Sequence, residues 1–458
     1  MSDVATVGVP APKKQPRGLY LLAGVEMWER FSYYGMRSLL TLFLVSKAGG
    51  WGWSKEDATN VYKWYTGLVY LTPLLGGYLA DRVLGTHRAI IIGSVLIAAG
   101  HFSLAAPGHA AFFIGLALII FGTGFHKSNI STMVGQLFRQ GDGRRDAAFT
   151  IFYLGINVGS TIGPLVCGFL AEDHRFGWHW GFASAGVGMV LGTVMYLLLR
   201  PRYLNGVGER PAGQPARAET GTVPGRVARA PKLTAEERDR ILAIVILAIF
   251  NIFFWAANEQ TGSSMTFFAE ERTQRVLGAF TIPTPWFQSI NPFIIITCAP
   301  FFAMAWTRLA ARGREPSVPA KFAGALVLLS IGFGLMVVAA RLSDGGAKVS
   351  PLWLVAAYTF HTSGEICLYP VSLSMVTKLA PAKVASLMMG LWFFSMFLSD
   401  FLAGQIAGSI ERIERGELFH LFGGQADFYF IFVVAPLVGA ALLVALTPAI
   451  KKLMHGRG

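Results

Sequence analysis

Twelve stretches of this 458-residue chain are apolar over the ~20 residues a helix needs to cross the hydrocarbon of a bilayer. They cover about 18–47, 56–82, 87–106, 110–138, 146–171, 179–199, 238–269, 286–310, 320–341, 352–379, 384–411 and 427–449. A segment in lipid must satisfy its own backbone hydrogen bonds, and for separate apolar segments only a helix does so. The pattern therefore predicts an all-α membrane protein with twelve transmembrane helices. Composition agrees: 53% of residues are hydrophobic and 14% charged, where soluble domains carry roughly 25% charged residues. A mean hydropathy of +0.50 over the whole chain excludes a soluble enzyme with a single anchor.

One long polar break divides the twelve. Residues 200–236 are rich in Pro, Gly, Ala and Arg with no apolar period, which is the composition of a flexible linker. The expected organisation is a tail at 1–17, a six-helix bundle at 18–199, a linker at 200–237, a second six-helix bundle at 238–450 and a tail at 451–458. No small-residue cleavage site follows the first apolar run, so that run reads as a retained first helix. The net charge of +13 does not point to nucleic acid, because the basic residues sit in the gaps between apolar runs. With the N-terminus inside, the inner segments hold 26 Lys or Arg and the outer loops 9. By the positive-inside rule both termini and the linker should face the cytoplasm. The three cysteines, Cys167, Cys298 and Cys367, lie in apolar segments and read as small core residues.

Against that background the first span is anomalous. Residues 24–38, GVEMWERFSYYGMRS, carry Glu26, Glu29, Arg30 and Arg37 in mid-helix, and later spans add Lys127, Glu259 and Glu365. Each would cost ~2.5–3.5 kcal/mol at a lipid-facing helix centre, so they must face the bundle interior, a wet cavity or one another. Helical phase supports one stripe: with Glu26 at zero, Arg37 falls near 20°, Arg30 near 40° and Tyr34 near 80° at about 100° per residue. Glu26 and Arg30 are i,i+4 neighbours and can neutralise each other. Arg37 and Lys127 have no acid within a turn on their own helices, and Glu259 and Glu365 have no Lys or Arg within a turn on theirs. Pairing across the two halves would balance these four.

These residues sit in motifs that resemble the proton-coupled oligopeptide transporter family of the major facilitator superfamily. ExxERFxYYG stands at Glu26–Gly35, GGYLADRVLGTHRAIIIG at 76–93, FTIFYLGINVGS at 149–160, FWAANEQTGSSM at 254–265, FQSINP at 287–292 and GEICLYPVSLSMVTKLAP at 364–381. The likeness runs in order from about 18 to 450. It implies the major facilitator fold and import of di- and tripeptides into a bacterial cell across the inner membrane, by alternating access and driven by protons. No cofactor or metal is implied, nucleic acid is not a partner, and the carrier is expected to act as a monomer surrounded by lipid.

By the same resemblance Arg30, Arg37, Lys127 and Tyr34 would take the peptide carboxylate, and Glu365 with Asn157 and Asn291 its ammonium. Tyr70, Trp255 and Trp392 would line side-chain pockets, although packing alone also accounts for the two tryptophans, and Tyr153 is assigned to packing. Glu26, Glu29, Arg30 and Glu259 would couple the proton. Asp81 and Arg82 would grip a neighbouring helix end as a gate, with Pro370 a hinge. Three departures stand out: Ser128 follows Lys127 where the family usually has Pro, Tyr369 stands where it usually has Ser, and residues 200–236 are too polar for the two extra helices of many bacterial members. A carrier of the same architecture for nitrate or a drug-like solute, or a non-transporting peptide sensor, is the alternative. His87, His101, His126 and His361 are scattered in sequence and suggest no metal cluster, and His126 is expected to pack facing away.

Overall fold

The computed structural model describes residues 14–139, 142, 144–211 and 233–456. The first half comprises α1 (Arg17–Val45), α2 (Lys55–Leu79), α3 (Thr86–Ala105), α4 (His109–Gln136), α5 (Arg145–Glu172) and α6 (Trp178–Tyr203). The second comprises α7 (Ala235–Asn258), α8 (Ser264–Arg272), α9 (Ile290–Ala311), α10 (Val318–Leu342), α11 (Leu352–Leu379), α12 (Ala385–Ala407), α13 (Ile410–Glu414) and α14 (Gln425–Leu453). Counting α7 with α8 and α12 with α13 as single broken passages, the described residues make twelve crossings, six on each side of the linker. Nine stretches among them are apolar and long enough to cross a membrane by themselves. The three long helices left out are α1, α2 and α11, which are diluted by polar residues such as Glu26, Arg30, Lys63 and Glu365.

Each half has its own core. Residues from α7 to α14 form one cluster around Phe254, Phe333 and Tyr429. The first half packs two clusters, around Phe43 and Phe112 and around Leu22 and Ile130. Apolar burial cannot pull helices together in lipid, so close backbone approach matters more. Gly155, Gly159 and Gly163 supply it at intervals of one turn: a Cβ on any of them would run into the carbonyls of Ala23, Met27 or Phe31 on α1.

Three boundaries differ from the sequence reading. The seventh crossing is not one helix: α7 stops at Asn258, a 3₁₀ turn carries Glu259–Gly262, and Ser263 sits at φ −131°, ψ −93° before α8 begins. The linker starts later than expected, because α6 runs to Tyr203. Residues 204–211 then fold back on the first half: Leu204 is fully buried, the His87 amide donates to the Gly208 carbonyl at 2.9 Å, and Arg200 pairs with Glu209 at 2.8 Å. Residues 212–232, the rest of the expected linker, lie outside the described residues, as does most of the N-terminal tail. At the other end α14 continues to Leu453, into the expected tail.

Candidate functional site

The two halves meet mainly through α2 against α12 and α5 against α9. They are tied together at the end away from the termini. There Lys55 pairs with Glu271 at 2.7 Å, and Arg275 with Glu172 at 2.8 Å. The Thr284 amide donates to Glu172 at 2.9 Å, Trp286 Nε1 to the Leu165 carbonyl at 2.9 Å, and Ser289 Oγ to the Thr161 carbonyl at 2.7 Å. Below this seal lies a cavity of ≈ 520 Å³. Its walls run from Arg37 and Glu259 at the sealed end down to Leu74, Ser131 and Leu373 toward the face that carries the termini.

The charged stripe of α1 is buried as its cost in lipid demands. Arg30 lies 3.1 Å from Glu26 and directly against Glu29, so one guanidinium serves two carboxylates on its own helix. Two turns on, Arg37 forms an ion pair with Glu259 on the 3₁₀ turn of the other half, and its Nε donates to the Tyr62 hydroxyl at 2.7 Å. The break in the seventh crossing is what brings Glu259 there. Beside it, Thr41 Oγ1 donates to the Gly262 carbonyl at 3.1 Å. Gly262 has no space for a side chain, since a Cβ would meet the Tyr62 hydroxyl and the Arg37 guanidinium.

Of the two cross-half pairings suggested by the charge balance, therefore, Arg37 with Glu259 is made. Lys127 and Glu365 are not paired: they stand on different walls of the cavity. The Lys127 ammonium lies over the Tyr70 ring, 4.1 Å from its centroid. Glu365 accepts from Asn291 Nδ2 at 2.7 Å, and Asn291 also donates to Thr362 at 3.0 Å. The open space between the two walls is the reason that the second pair is absent.

Every expected peptide-contact residue lines this one cavity: Tyr34, Arg37, Tyr70, Lys127, Asn157, Trp255, Asn291, Glu365 and Trp392. Glu26, Arg30 and Glu259 line it as well, while Glu29 lies behind them. Asn157 spends its amide on the Tyr153 carbonyl of its own helix at 2.9 Å, so it neither bridges helices nor reaches Glu365 in this conformation. Tyr369 stacks edge-on against Trp255 at 5.8 Å and projects its phenol into the site.

The expectations for Tyr153 and His126 need correction, and the expected gating residues are not engaged in this conformation. Among the described residues Asp81 and Arg82 hold no neighbouring helix in this conformation: they are exposed on a π turn (Ala80–Leu84), with Arg82 over Tyr78 at 4.8 Å. The helix ends that they would hold are apart at the open end. Pro370 lies inside α11, which runs through it without a break in this conformation. Tyr153 lines the cavity instead of packing away from it. His126 is turned toward α1: Glu26, Glu29 and His126 each place a potential ligand atom within 4.8 Å of the others. That is a donor set for a metal, but the Arg30 guanidinium already lies against both carboxylates and its charge opposes a divalent ion there.

Two further residues belong to the site. Tyr62 fixes Arg37 from α2, and nothing in the sequence singles it out from Tyr65 or Tyr70. Asp400 was legible as an acid inside the apolar run LSDFLAG. It is 4% exposed, its Oδ2 has no hydrogen-bond partner, and its charged neighbours are Glu259, Arg37 and Lys127. It adds a third acid to the second half.

Two six-helix halves, sealed at one end around a charged mid-membrane cavity and open at the other, define a membrane carrier of the alternating-access type. The family model described as the POT family matches residues 87–215 and 216–420, and the chain belongs to that family. It is 38% identical over 495 residues to the peptide transporter YePEPT of Yersinia enterocolitica, covering 95% of each chain. It is 33% identical over 491 residues to the di-/tripeptide transporter of Lactococcus lactis subsp. cremoris, covering 95% of this chain and 96% of that one. Among solved structures it superposes with a TM-score of 0.86 and 36% identity on a POT peptide transporter in complex with alafosfalin, over 96% of each chain.

Proposed function

We propose that this carrier imports di- and tripeptides across the bacterial inner membrane, driven by protons and with both termini in the cytoplasm. The observation that carries the reading is the polarity of the cavity. Arg30, Arg37 and Lys127 form a basic wall contributed by the first half, and Glu365 with Asn291 an acidic one contributed by the second. Every short peptide presents a carboxylate and an ammonium at nearly constant spacing, and its side chains vary. A bipolar clamp between aromatic walls recognises the constant parts and leaves room for the rest. Nitrate would leave the acidic wall without a partner. A volume of ≈ 520 Å³ lies within the roughly 300–1,000 Å³ of small-ligand pockets.

The positive-inside bias supports placing the open end at the cytoplasm, which makes this the inward-open state. Arg37 and Glu259 hold the outer side shut. Protonating Glu259 from outside would discharge its half of the pair and let the halves part. Protonating Glu26 or Glu29 would free Arg30 for the peptide carboxylate, so proton and peptide support each other's binding. Each inward proton carries ~2.3 kcal/mol per 100 mV of membrane potential. The test is uptake of a labelled dipeptide into liposomes under an inward proton gradient. Unlabelled di- and tripeptides should compete, and a tetrapeptide or a single amino acid should not. Uptake indifferent to the gradient would rule out proton coupling, and competition by the single amino acid would rule out the clamp.

A further inference from the structure

The Glu26–Glu29–Arg30 cluster does not balance: two carboxylates share one guanidinium, which leaves one negative charge in a buried site. A buried net charge is costly and is neutralised by a proton or a nearby cation. The nearest candidate cation is Lys127, but its ammonium rests on Tyr70 and lines the cavity where a peptide carboxylate would draw it away. Behind the carboxylates stands His126, fully buried, with neither ring nitrogen hydrogen-bonded among the described residues. A buried imidazole with both nitrogens unsatisfied needs a reason, and here it has acceptors within 4.8 Å.

We propose that His126 is a member of the proton site, sharing one proton with Glu26 and Glu29. This rests on the proton-coupled reading above and adds to it a third group that can hold the charge. Glu26 lines the cavity and Glu29 and His126 lie behind it, which orders the transfer. A hydronium ion in the cavity gives its proton to a Glu26 carboxylate oxygen and leaves as water. That proton then passes to a ring nitrogen of His126, directly after a small rotation or through one bridging water, and restores the Glu26 carboxylate. The resulting imidazolium takes over one of the two carboxylates from Arg30, so the cluster becomes neutral without Lys127 and the guanidinium is loosened toward the peptide carboxylate. Lys127 is then free to bind the peptide carboxylate, and loading of proton and peptide are linked.

The surroundings of His126 limit what else could set its charge. From α1 it meets Glu26, Glu29 and Arg30; on α4 its chain neighbour is Lys127; and α2 brings Tyr70, which holds that ammonium. α3 presents Gly93, whose Cα lies so close that a Cβ would strike the backbone of His126.

The experiment is proton-driven dipeptide uptake in liposomes as a function of outside pH, for wild type, His126→Asn and His126→Leu. Both variants should shift the profile to the acid side by about one pH unit, a tenfold higher proton concentration to load the remaining carboxylates. Profiles that superimpose on wild type would overturn the proposal. A wild type without gradient-driven uptake would instead remove the functional reading itself. Should neither variant fold, the wild type still decides the matter. His126–Lys127 is the chain's one His-Lys pair, so selective isotope labelling assigns this histidine by NMR. A ring that charges between about pH 5 and 8, where histidines titrate, and whose titration moves when dipeptide is added supports the proposal. A ring that stays neutral throughout that range overturns it.

Discussion

Arg30 and Arg37 are two turns apart on one helix, and both are buried and ion-paired. They differ in where their partners come from. Arg30 is held by Glu26 and Glu29 of its own helix, so no movement of one half against the other can break that contact. Arg37 is held by Glu259 of the opposite half, so opening the sealed end must break it. The first arrangement can carry a proton through a whole transport cycle. The second can exist only in states with that end shut. A local cluster thus suits coupling and a bridging pair suits gating, although the residue types are the same.

Glu259→Ala should break the comparison most severely. Removing one partner of a buried pair costs about 3–5 kcal/mol, and here the cost falls on the sealed states alone. Spin labels on the outer ends of α2 and α13 should report the outer side open, and net uptake should fall by two orders of magnitude or more, from about 1.4 kcal/mol per tenfold. An unchanged label distance would mean that the pair does not gate.

Glu29→Gln should instead spare the conformational equilibrium and remove the driving force. Uphill dipeptide uptake should drop by at least about tenfold, while counterflow exchange continues. Loss of both in parallel would merge the two arginine sites into one role. Asp400→Asn comes next: it removes a buried acid near the bridging pair without removing a known hydrogen bond, so a shift in the pH profile of several-fold at fixed pH, read in the same liposomes, would mark it as a second titrating group. No shift would make it a silent, permanently protonated acid.

The smallest effect lies far from both arginines, in the fold-back at 204–211. The Arg200 guanidinium hydrogen-bonds the exposed Glu209 carboxyl and holds it below the usual carboxylate range. A lowered folded-state value means that the contact is present at neutral pH and is lost only as the pH falls through that value. Exchange of the His87 amide should therefore quicken in acid, and Glu209→Gln should remove that acid dependence. Transport should respond little.

The twelve crossings were legible in the sequence because each is predominantly apolar over a membrane-spanning length, and the buried charges because they interrupt those runs where lipid would not tolerate them. Geometry between helices was not legible. The turn of His126 toward α1 goes with a close approach of Gly93, on a different helix, to its backbone, and the break after Asn258 leaves no mark such as a proline. The Arg37–Glu259 pair could be anticipated from a charge balance, but Tyr62 could not, since its hydroxyl is one among several on α2. The separation of Lys127 and Glu365 depends on which way the cavity is open, and one sequence encodes both directions. Asn157 shows a simpler limit: its amide turned inward to its own helix, a choice that side-chain identity does not dictate.

The hydrogen atom that serves as a side chain at position 262 therefore works like clearance in a latch. Any methyl there, as in Gly262→Ala, would act as a doorstop between Tyr62 and the 3₁₀ turn. Such a carrier should rest ajar toward the outside, reachable by membrane-impermeant thiol reagents at a cysteine placed at Thr41, while every charged residue of the transport machinery remains in place.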